Sequence, residues 1–482
     1  MLKEKEIIEK VKKINFPFEI KEEKEIRPEN KEKLDFFLFR FFKNKNFIFE
    51  IISLEKLFSL LSFEYIENLC NNNPNSVPAR KIGFLYEQIT WKNLNFIWTK
   101  ATYINLIDEN IFYSFELWEK NKKFKIINNI LGKINWFNPY IKKDSSFEKY
   151  IDFNYNSEIE KIISSKTEYL IEKSVWYLFL KETKSSYQIE WEEFDRAKNS
   201  KFLMALKKLE IFENLNKQDI IKIHNSVMVN KKREDNFRNF NNYISSWNEL
   251  MWEIIIDYVC PKKDDVDFLI QELLDFYKKN KNNLNPILLA SLVSSFFVFI
   301  HPFSDWNGRT SRYLFHYILK DLWIWIYKNN ENIIIPISAY ILNNRDDYYY
   351  NLDLLSKTFW QDINYEINDN WSIEIFENTL KNYLYWDYTK LLLYFSKMFY
   401  NSFLLDFKKE IIFLEKYYNF IEKINSIFDF THKEKWYIWK FLVNNNGKLS
   451  KSKKIFLEKQ GLILEEKEIK KLEKIYLEIF SN

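Results

Sequence analysis

The 482-residue chain is long enough for about three domains of ordinary size and for a sizeable core. Its 46% hydrophobic and 29% charged residues exclude a disordered tail protein or a fibrous one. Basic and acidic residues, 72 against 68, leave a net charge of +4, too balanced to indicate DNA or an anionic membrane surface. In chain order, apolar residues at three- and four-residue spacing predict helices over 31–43, 156–184, 265–280, 286–300, 307–327 and 388–427. Residues 254–259 and 333–337, short and rich in β-branched side chains, read as strands. Polar breaks fall at 71–78, 144–156 and 368–370, and 444–448 reads as a turn inside a small C-terminal helical unit.

The expectation is a mainly α protein with a short β-hairpin, in three regions: 1–155, 156–400 and 401–482. The most apolar stretch, 287–300, is broken by Ser291, Ser294 and Ser295 and falls short of the roughly 20 residues of a membrane span, so a buried helix is expected and no membrane. Residues 1–13 are charged and amphipathic, without the apolar run of a secretory signal. Cys70 and Cys260 alone cannot build a disulfide framework or a cysteine-rich zinc site, so a reducing, cytoplasmic setting is expected.

One count is abnormal. The chain has 5 glycines, where average usage would give about 34, and 16 tryptophans, more than an average chain carries. A bias toward Lys, Asn, Ile and Phe codons would deplete glycine, but the tryptophan codon is also G-rich and should be depleted with it. The excess suggests that some positions printed as tryptophan are glycine in the living protein, through a codon such as UGA that its source reads as glycine. The alternative is genuine core aromatics, and composition alone does not choose.

The segment from His301 to Arg312 carries the chemistry. An apolar helix ends before His301, a second helix is expected from Asn307, and between them lie an imidazole, a carboxylate and a small-residue turn. Unpaired backbone N–H groups at a helix start, at the positive end of its dipole, suit phosphate. Gly308 permits close backbone approach. Arg309 and Arg312, one turn apart, can fork onto phosphate oxygens. Asp305 is a hard oxygen ligand for Mg²⁺, and His301 can take a proton from a hydroxyl near neutral pH.

This segment resembles the Fic family motif HPFx(D/E)GNGRxxR, with His301, Pro302, Phe303, Asp305, Asn307, Gly308, Arg309 and Arg312 in register. Trp306 stands where the family has glycine; taken literally, an indole there would fill the phosphate cradle. The same swap recurs in two further segments that resemble larger Fic proteins. Residues 186–191, SYQIEW, are similar to the (S/T)xxxE(G/N) inhibitory motif, and 85–91, LYEQITW, to LYExLTG.

The resemblance implies a Fic-type helical core with a β-hairpin flap, an inhibitory helix near 170–191 and a catalytic motif at 301–312. It implies a self-inhibited, Mg²⁺-dependent protein adenylyltransferase moving AMP from ATP to a Ser, Thr or Tyr hydroxyl of a target protein. His301 would be the general base and Asp305 the Mg²⁺ ligand. Backbone N–H groups of 306–308 with the Asn307 side chain would form the anion hole, and Arg309 and Arg312 would meet the β- and γ-phosphates. Pro302 and Phe303 would anchor the loop. Glu190, in the motif that begins at Ser186, would pair with Arg312 and hold ATP in an unproductive pose; the alternative is a solvated acid beside Glu192 and Glu193. Residues 244–259 are the flap candidate, to which a target's backbone would add as an edge strand.

His224 and His316 read as packing or supporting residues, and His432 as a surface one. The basic cluster at 448–454 reads as a solvated face, with binding of a partner still open. Two other functions remain open: removal of AMP from a modified protein at the same site, with Glu190 orienting a water, and a helical binding scaffold without catalysis if Trp306 is genuine. A homo-oligomer is also left open.

Overall fold

The computed structural model describes residues 34–45, 51–97, 99–115, 119–192, 200–228, 233–248, 253–322 and 333–480. Four helices come first: α1 (Leu34–Lys43), α2 (Ile51–Ser59), α3 (Phe63–Asn72) and α4 (Val77–Thr90). A small sheet follows, built from β1 (Ile104–Asn105), β2 (Glu119–Asn121) and β3 (Ile126–Asn128), with β3 in the middle, parallel to β1 and antiparallel to β2. Arg80 of α4 is buried and ties this sheet down, donating to the carbonyls of Phe124 (2.8 Å) and Thr102 (2.7 Å). Strands of two or three residues are too short to leave a period in the sequence, and none of the three was anticipated.

Helices α5 (Ser145–Ile151), α6 (Tyr155–Ser164) and α7 (Glu168–Ile189) lead to the site. The single helix expected over 156–184 is therefore two. Thr167 adopts an extended backbone and its hydroxyl accepts from the Leu170 N–H, so the chain caps a new helix rather than continuing the old one. Farther along lie α8 (Ser200–Lys208), α9 (Lys217–Val227) and a hairpin of β4 (Tyr243–Asn248) with β5 (Glu253–Val259), antiparallel with a register shift between Ile244 and Ser245. The expected flap thus exists as a hairpin; its turn at 249–252 lies outside the described residues.

Next come α10 (Lys263–Asn280), α11 (Pro286–Ile300) and α12 (Asn307–Asp321). Helix α11 starts with Pro286 in its first turn, and the Asn285 side chain accepts from the Ile287 N–H. It is apolar all round, as a central helix must be, and packs between α10 and α12. Its serines spend their hydroxyls on carbonyls of the preceding turn, Ser291 on Ile287 at 2.6 Å, so they cost little there. The helix expected over 307–327 is seen to Asp321; 323–327 lie outside the described residues, as do 31–33 of the first predicted helix.

The strand expected at 333–337 is absent. Residues 333–336 are irregular and buried, and Ile337 opens helix α13 (Ile337–Asn343). Pro336 removes a ladder donor, and the isoleucines fill the core instead of pairing with a strand. Helix α14 (Arg345–Trp360) and the hairpin β6 (Tyr365–Ile367) with β7 (Ile373–Ile375) follow. Then α15 (Thr389–Asn401), a π-helical stretch (Ser402–Lys408) and α16 (Lys409–Asn425) run without a break, close to the single helix read from the sequence. The chain ends with α17 (His432–Asn444), α18 (Lys451–Lys459) and α19 (Glu466–Phe480).

One apolar core runs from Leu34 to Ile411, and a second, smaller cluster joins the end of α16 to α17, α18 and α19. Among the described residues no helix is long and apolar enough to cross a membrane. The two cysteines are unpaired and buried. At the centre of the large core Phe137 stacks on Phe296 of α11, centroids 3.9 Å apart and planes 8° apart, while Phe276 and Tyr388 meet its edge. Phe137→Ala should lower unfolding free energy by about 3–5 kcal/mol in a denaturant titration; a loss below about 1 kcal/mol would show that this ring is not a core anchor.

Candidate active site

Helix α11 stops at His301, whose backbone turns left-handed (φ 51°) and so throws the chain across the head of α12. Arg238, unmarked in the sequence reading, staples this crossing. Its guanidinium is buried and donates to the carbonyls of His301 (2.8 Å), Pro261 (2.6 Å) and Phe240 (2.7 Å), and its N–H to that of Pro302 (2.8 Å). No charge pattern around Arg238 distinguishes it, because its partners are carbonyls, one two residues away and the others from two distant segments. Pro302 and Phe303 are buried as expected, and Phe303 lies flat against the His224 ring, centroids 3.7 Å apart.

His301 is partly exposed, and its Nδ1 meets the Val298 carbonyl at 3.3 Å. Only an N–H can make that contact, so Nδ1 carries the proton and Nε2 keeps its lone pair. Burial first, then the Arg238 guanidinium, push its pKa down to about 4, against the Val298 hydrogen bond. The imidazole is therefore neutral at pH 7. His224 is likewise neutral: burial pushes it down to about 3, and its Nδ1 meets the Thr310 hydroxyl at 2.9 Å. His316 lies buried with Nε2 3.1 Å from Glu182, so it and His224 are packed as supporting residues, and His432 is exposed at the start of α17, a surface residue as read.

Asp305 is exposed at the head of α12, and its Oδ1 accepts from the Trp306 N–H at 2.7 Å. Trp306 takes the N-cap position in a left-handed conformation (φ 54°). Its ring is 9% exposed, lies over the Arg309 guanidinium (5.2 Å) and donates Nε1–H to Glu192 (2.9 Å). The Asn307 side chain, assigned by resemblance to an anion hole, spans the turn instead: its Oδ1 accepts from the Phe303 N–H and its Nδ2 donates to the Phe303 carbonyl, both at 3.0 Å. It shapes the loop, and the Trp306 N–H expected in the anion hole is taken by Asp305, so an anion at the head of α12 would meet the N–H groups after it.

Glu190, at the C-terminus of α7, reaches that same place. Its two carboxylate oxygens divide between the arginines, Oε2 lying 2.7 Å from Arg309 Nε and Oε1 2.8 Å from Arg312 Nη2. Ser186 completes the clasp, its hydroxyl accepting from Arg312 Nε (2.8 Å) and its carbonyl from Nη2 (3.1 Å). Burial works against the charge of Arg312, yet Glu190 holds its pKa above the usual arginine value. Arg309 is fully buried, lies 3.9 Å over the Tyr187 ring and pairs with Glu192 at 2.8 Å. Sequence reading had placed Glu192 only among surface acids. Gly308 makes the clasp possible: a Cβ there would stand 2.6 Å from Glu190 Oε1 and 3.1 Å from Arg312 Nη1.

Residues 214–319 match the family model described as Fic/DOC family. Over 110 residues the chain is 31% identical to the protein adenylyltransferase Fic of Nematostella vectensis, a match spanning 22% of this chain and 23% of the relative's length. Two solved structures are similar. One is a Fic family protein from Desulfovibrio desulfuricans G20, with TM-score 0.37, 17% identity and coverage of 68% of this chain and 87% of its own. The other is a Fic domain containing signaling protein from Bacteroides thetaiotaomicron VPI-5482, with TM-score 0.35, 14% identity and coverage of 55% and 97%. Residues 214–319 therefore carry a Fic domain, and within that stretch the chain is similar to Fic family proteins.

Arg238→Met should lower unfolding free energy by about 2–4 kcal/mol, because it strands buried carbonyls without a donor. The check is a melting and denaturant series against the parent; an unchanged midpoint would show that the crossing holds itself.

Proposed function

We propose that the protein is a self-inhibited protein adenylyltransferase that moves AMP from ATP to a Ser, Thr or Tyr hydroxyl of a target protein. The observation that carries this reading is the division of one carboxylate, Glu190, between two buried arginines at the head of the helix that follows a neutral histidine. In the proposed reaction His301 Nε2 takes the hydroxyl proton while that oxygen bonds to the α-phosphorus. The bond from the α-phosphorus to the bridging oxygen breaks, and pyrophosphate leaves with the electron pair. The N–H groups at the head of α12, aligned with its dipole, meet the charge that develops there. Arg309 and Arg312 take the β- and γ-phosphates once Glu190 has left them.

Asp305 offers one exposed carboxylate, and among the described residues no group of three His, Cys, Asp or Glu side chains could hold a metal alone. That donor set fits Mg²⁺, which binds through one or two carboxylates and otherwise through substrate phosphates. Bound there, the ion would neutralise phosphate charge. The target's extended backbone pairs with an edge of the β4–β5 hairpin, where Ile244 and Ile255 are exposed.

Both tests use the chain with Trp306→Gly, so that no indole stands in the cradle. Adding Glu190→Gly should raise self-modification with labelled ATP roughly 10- to 100-fold, the worth of the charge-assisted contacts it removes. Adding His301→Ala to that variant should cost about 100- to 10,000-fold. No rise in the first variant would sink the inhibition; no loss in the second would sink the base.

The pH profile tests the histidine separately. The neutral ring is the base and protonation removes it, so a pKa near 4 keeps the rate up as pH falls from 7 to 5, with half lost near 4. Half-loss near 6.5 in the Glu190→Gly variant would contradict this.

A further inference from the structure

Four tryptophans stand on left-handed backbone: Trp91 (φ 59°), Trp191 (60°), Trp306 (54°) and Trp371 (64°). They are four of the nine non-glycine residues with positive φ among the described residues. In that region the Cβ of an L residue crowds the following carbonyl, and only glycine enters routinely, with asparagine and aspartate next.

Each of the four occupies a different place in the fold; at the helix ends and the hairpin loop the usual occupant is glycine, and at the N-cap the left-handed backbone asks for it. Trp91 ends α4 in the αL motif, its N–H bonding the Glu87 carbonyl at 3.0 Å. Trp191 ends α7 in a Schellman motif: its N–H bonds the Gln188 carbonyl (3.2 Å) and the next N–H, of Glu192, bonds that of Tyr187 (3.1 Å). Trp371 is the left-handed residue of the β6–β7 loop, its N–H bonding the Asn368 carbonyl (2.8 Å) to close the turn before the strand resumes. Trp306 turns the chain onto the head of α12.

The side chains offset little of this. Trp91, Trp191 and Trp371 are 78%, 82% and 63% exposed, Trp191 with the Arg345 guanidinium 4.1 Å over its ring; of the four only Trp306 packs, against Arg309 and Glu192. Tryptophans that pack look different: Trp439 sits inside α17, 6% exposed, with its ring 5.2 Å from Phe420 and 5.0 Å from Phe480.

We propose that the protein made in its own cells carries glycine at positions 91, 191, 306 and 371, all four written with a codon that those cells read as glycine and that was translated here as tryptophan. Trp439 keeps its identity through the ordinary tryptophan codon. At 91, 191 and 371 the proposal stands on backbone geometry alone. At 306 it also deepens the proposed nucleotide site, making its turn bare main chain, and in that part rests on that reading.

Peptide mass spectrometry of the native protein across the four positions is the direct test. Glycine at all four is expected, each peptide lighter by one indolylmethyl group; tryptophan at any of them overturns the proposal. A second measurement needs only recombinant protein. Trp91→Gly, Trp191→Gly and Trp371→Gly should each raise the melting temperature of the printed chain by about 1–2 °C, whereas Trp439→Gly should lower it. A fall at the three exposed positions overturns the proposal. Native glycine at 306 together with no ATP binding would sink the nucleotide reading and leave this one standing.

Discussion

Two guanidinium groups buried at the head of one helix constrain everything around them. Arg309 has no exposed side-chain surface and Arg312 almost none. Charges out of water persist only when paired and hydrogen-bonded. Glu190 gives one oxygen to each, Ser186 faces Arg312, and Glu192 and Tyr187 face Arg309. All of these partners come from the last turn of α7 and the residues after it, so α7 must end at that spot. Its register is fixed by Thr167 at its start and by Lys181, 3.1 Å from both Asp406 and Glu410. Buried Glu182, which accepts from the Ser338 N–H at 2.8 Å and meets His316, holds it from a third side.

The field of the helices favours the same place. A carboxylate at the C-terminus of its own helix faces the negative end of that dipole, which costs stability. Glu190 escapes this by leaning over Gly308 to the positive end of α12, where unpaired N–H groups and both arginines lie. The missing Cβ at Gly308 therefore decides more than loop geometry. It lets an anion from α7 come within contact of the α12 backbone, and the space a carboxylate fills so closely is shaped for other anions as well.

How much of this was legible in the sequence follows the range of each signal. The central helix showed itself because eleven apolar residues among the fourteen from 287 to 300 can only be buried, and the His301–Arg312 constellation because its members are contiguous. Glu190 and Ser186 were readable as a short motif, though not the pairing that divides one carboxylate between two arginines. Arg238 was invisible, since it bonds carbonyls near 261 and 301, two segments far from it in sequence. The break at Thr167 was missed because the apolar period runs on across it, and the strand at 333–337 was misread because β-branched residues fill a core as readily as a ladder. Asn307 looked like a ligand, yet its amide is consumed by the loop it stands in. The tryptophans are the converse case: composition raised the question, and the sign of φ together with an exposed ring separates Trp371 from a tryptophan that packs.

The contact that completes the fold is also the one that has to open for the proposed chemistry. Under that proposal a triphosphate and Glu190 would compete for the same guanidinium groups, and productive nucleotide binding would fall with the fraction of molecules in which Glu190 still holds them. Linkage makes this reciprocal: whatever loosens the end of α7 strengthens productive binding by the factor with which bound nucleotide loosens α7. A clasp buried on every side would be too strong to reverse, but Glu190 keeps 22% of its side chain in water, and Glu192, which shares Arg309, keeps 43%. Moving such an equilibrium from 1:99 to 99:1 takes about 5.5 kcal/mol of differential affinity. Under the proposed function that is within reach of a ligand bringing several phosphate charges to two arginines and a helix terminus, and beyond a single neutral contact.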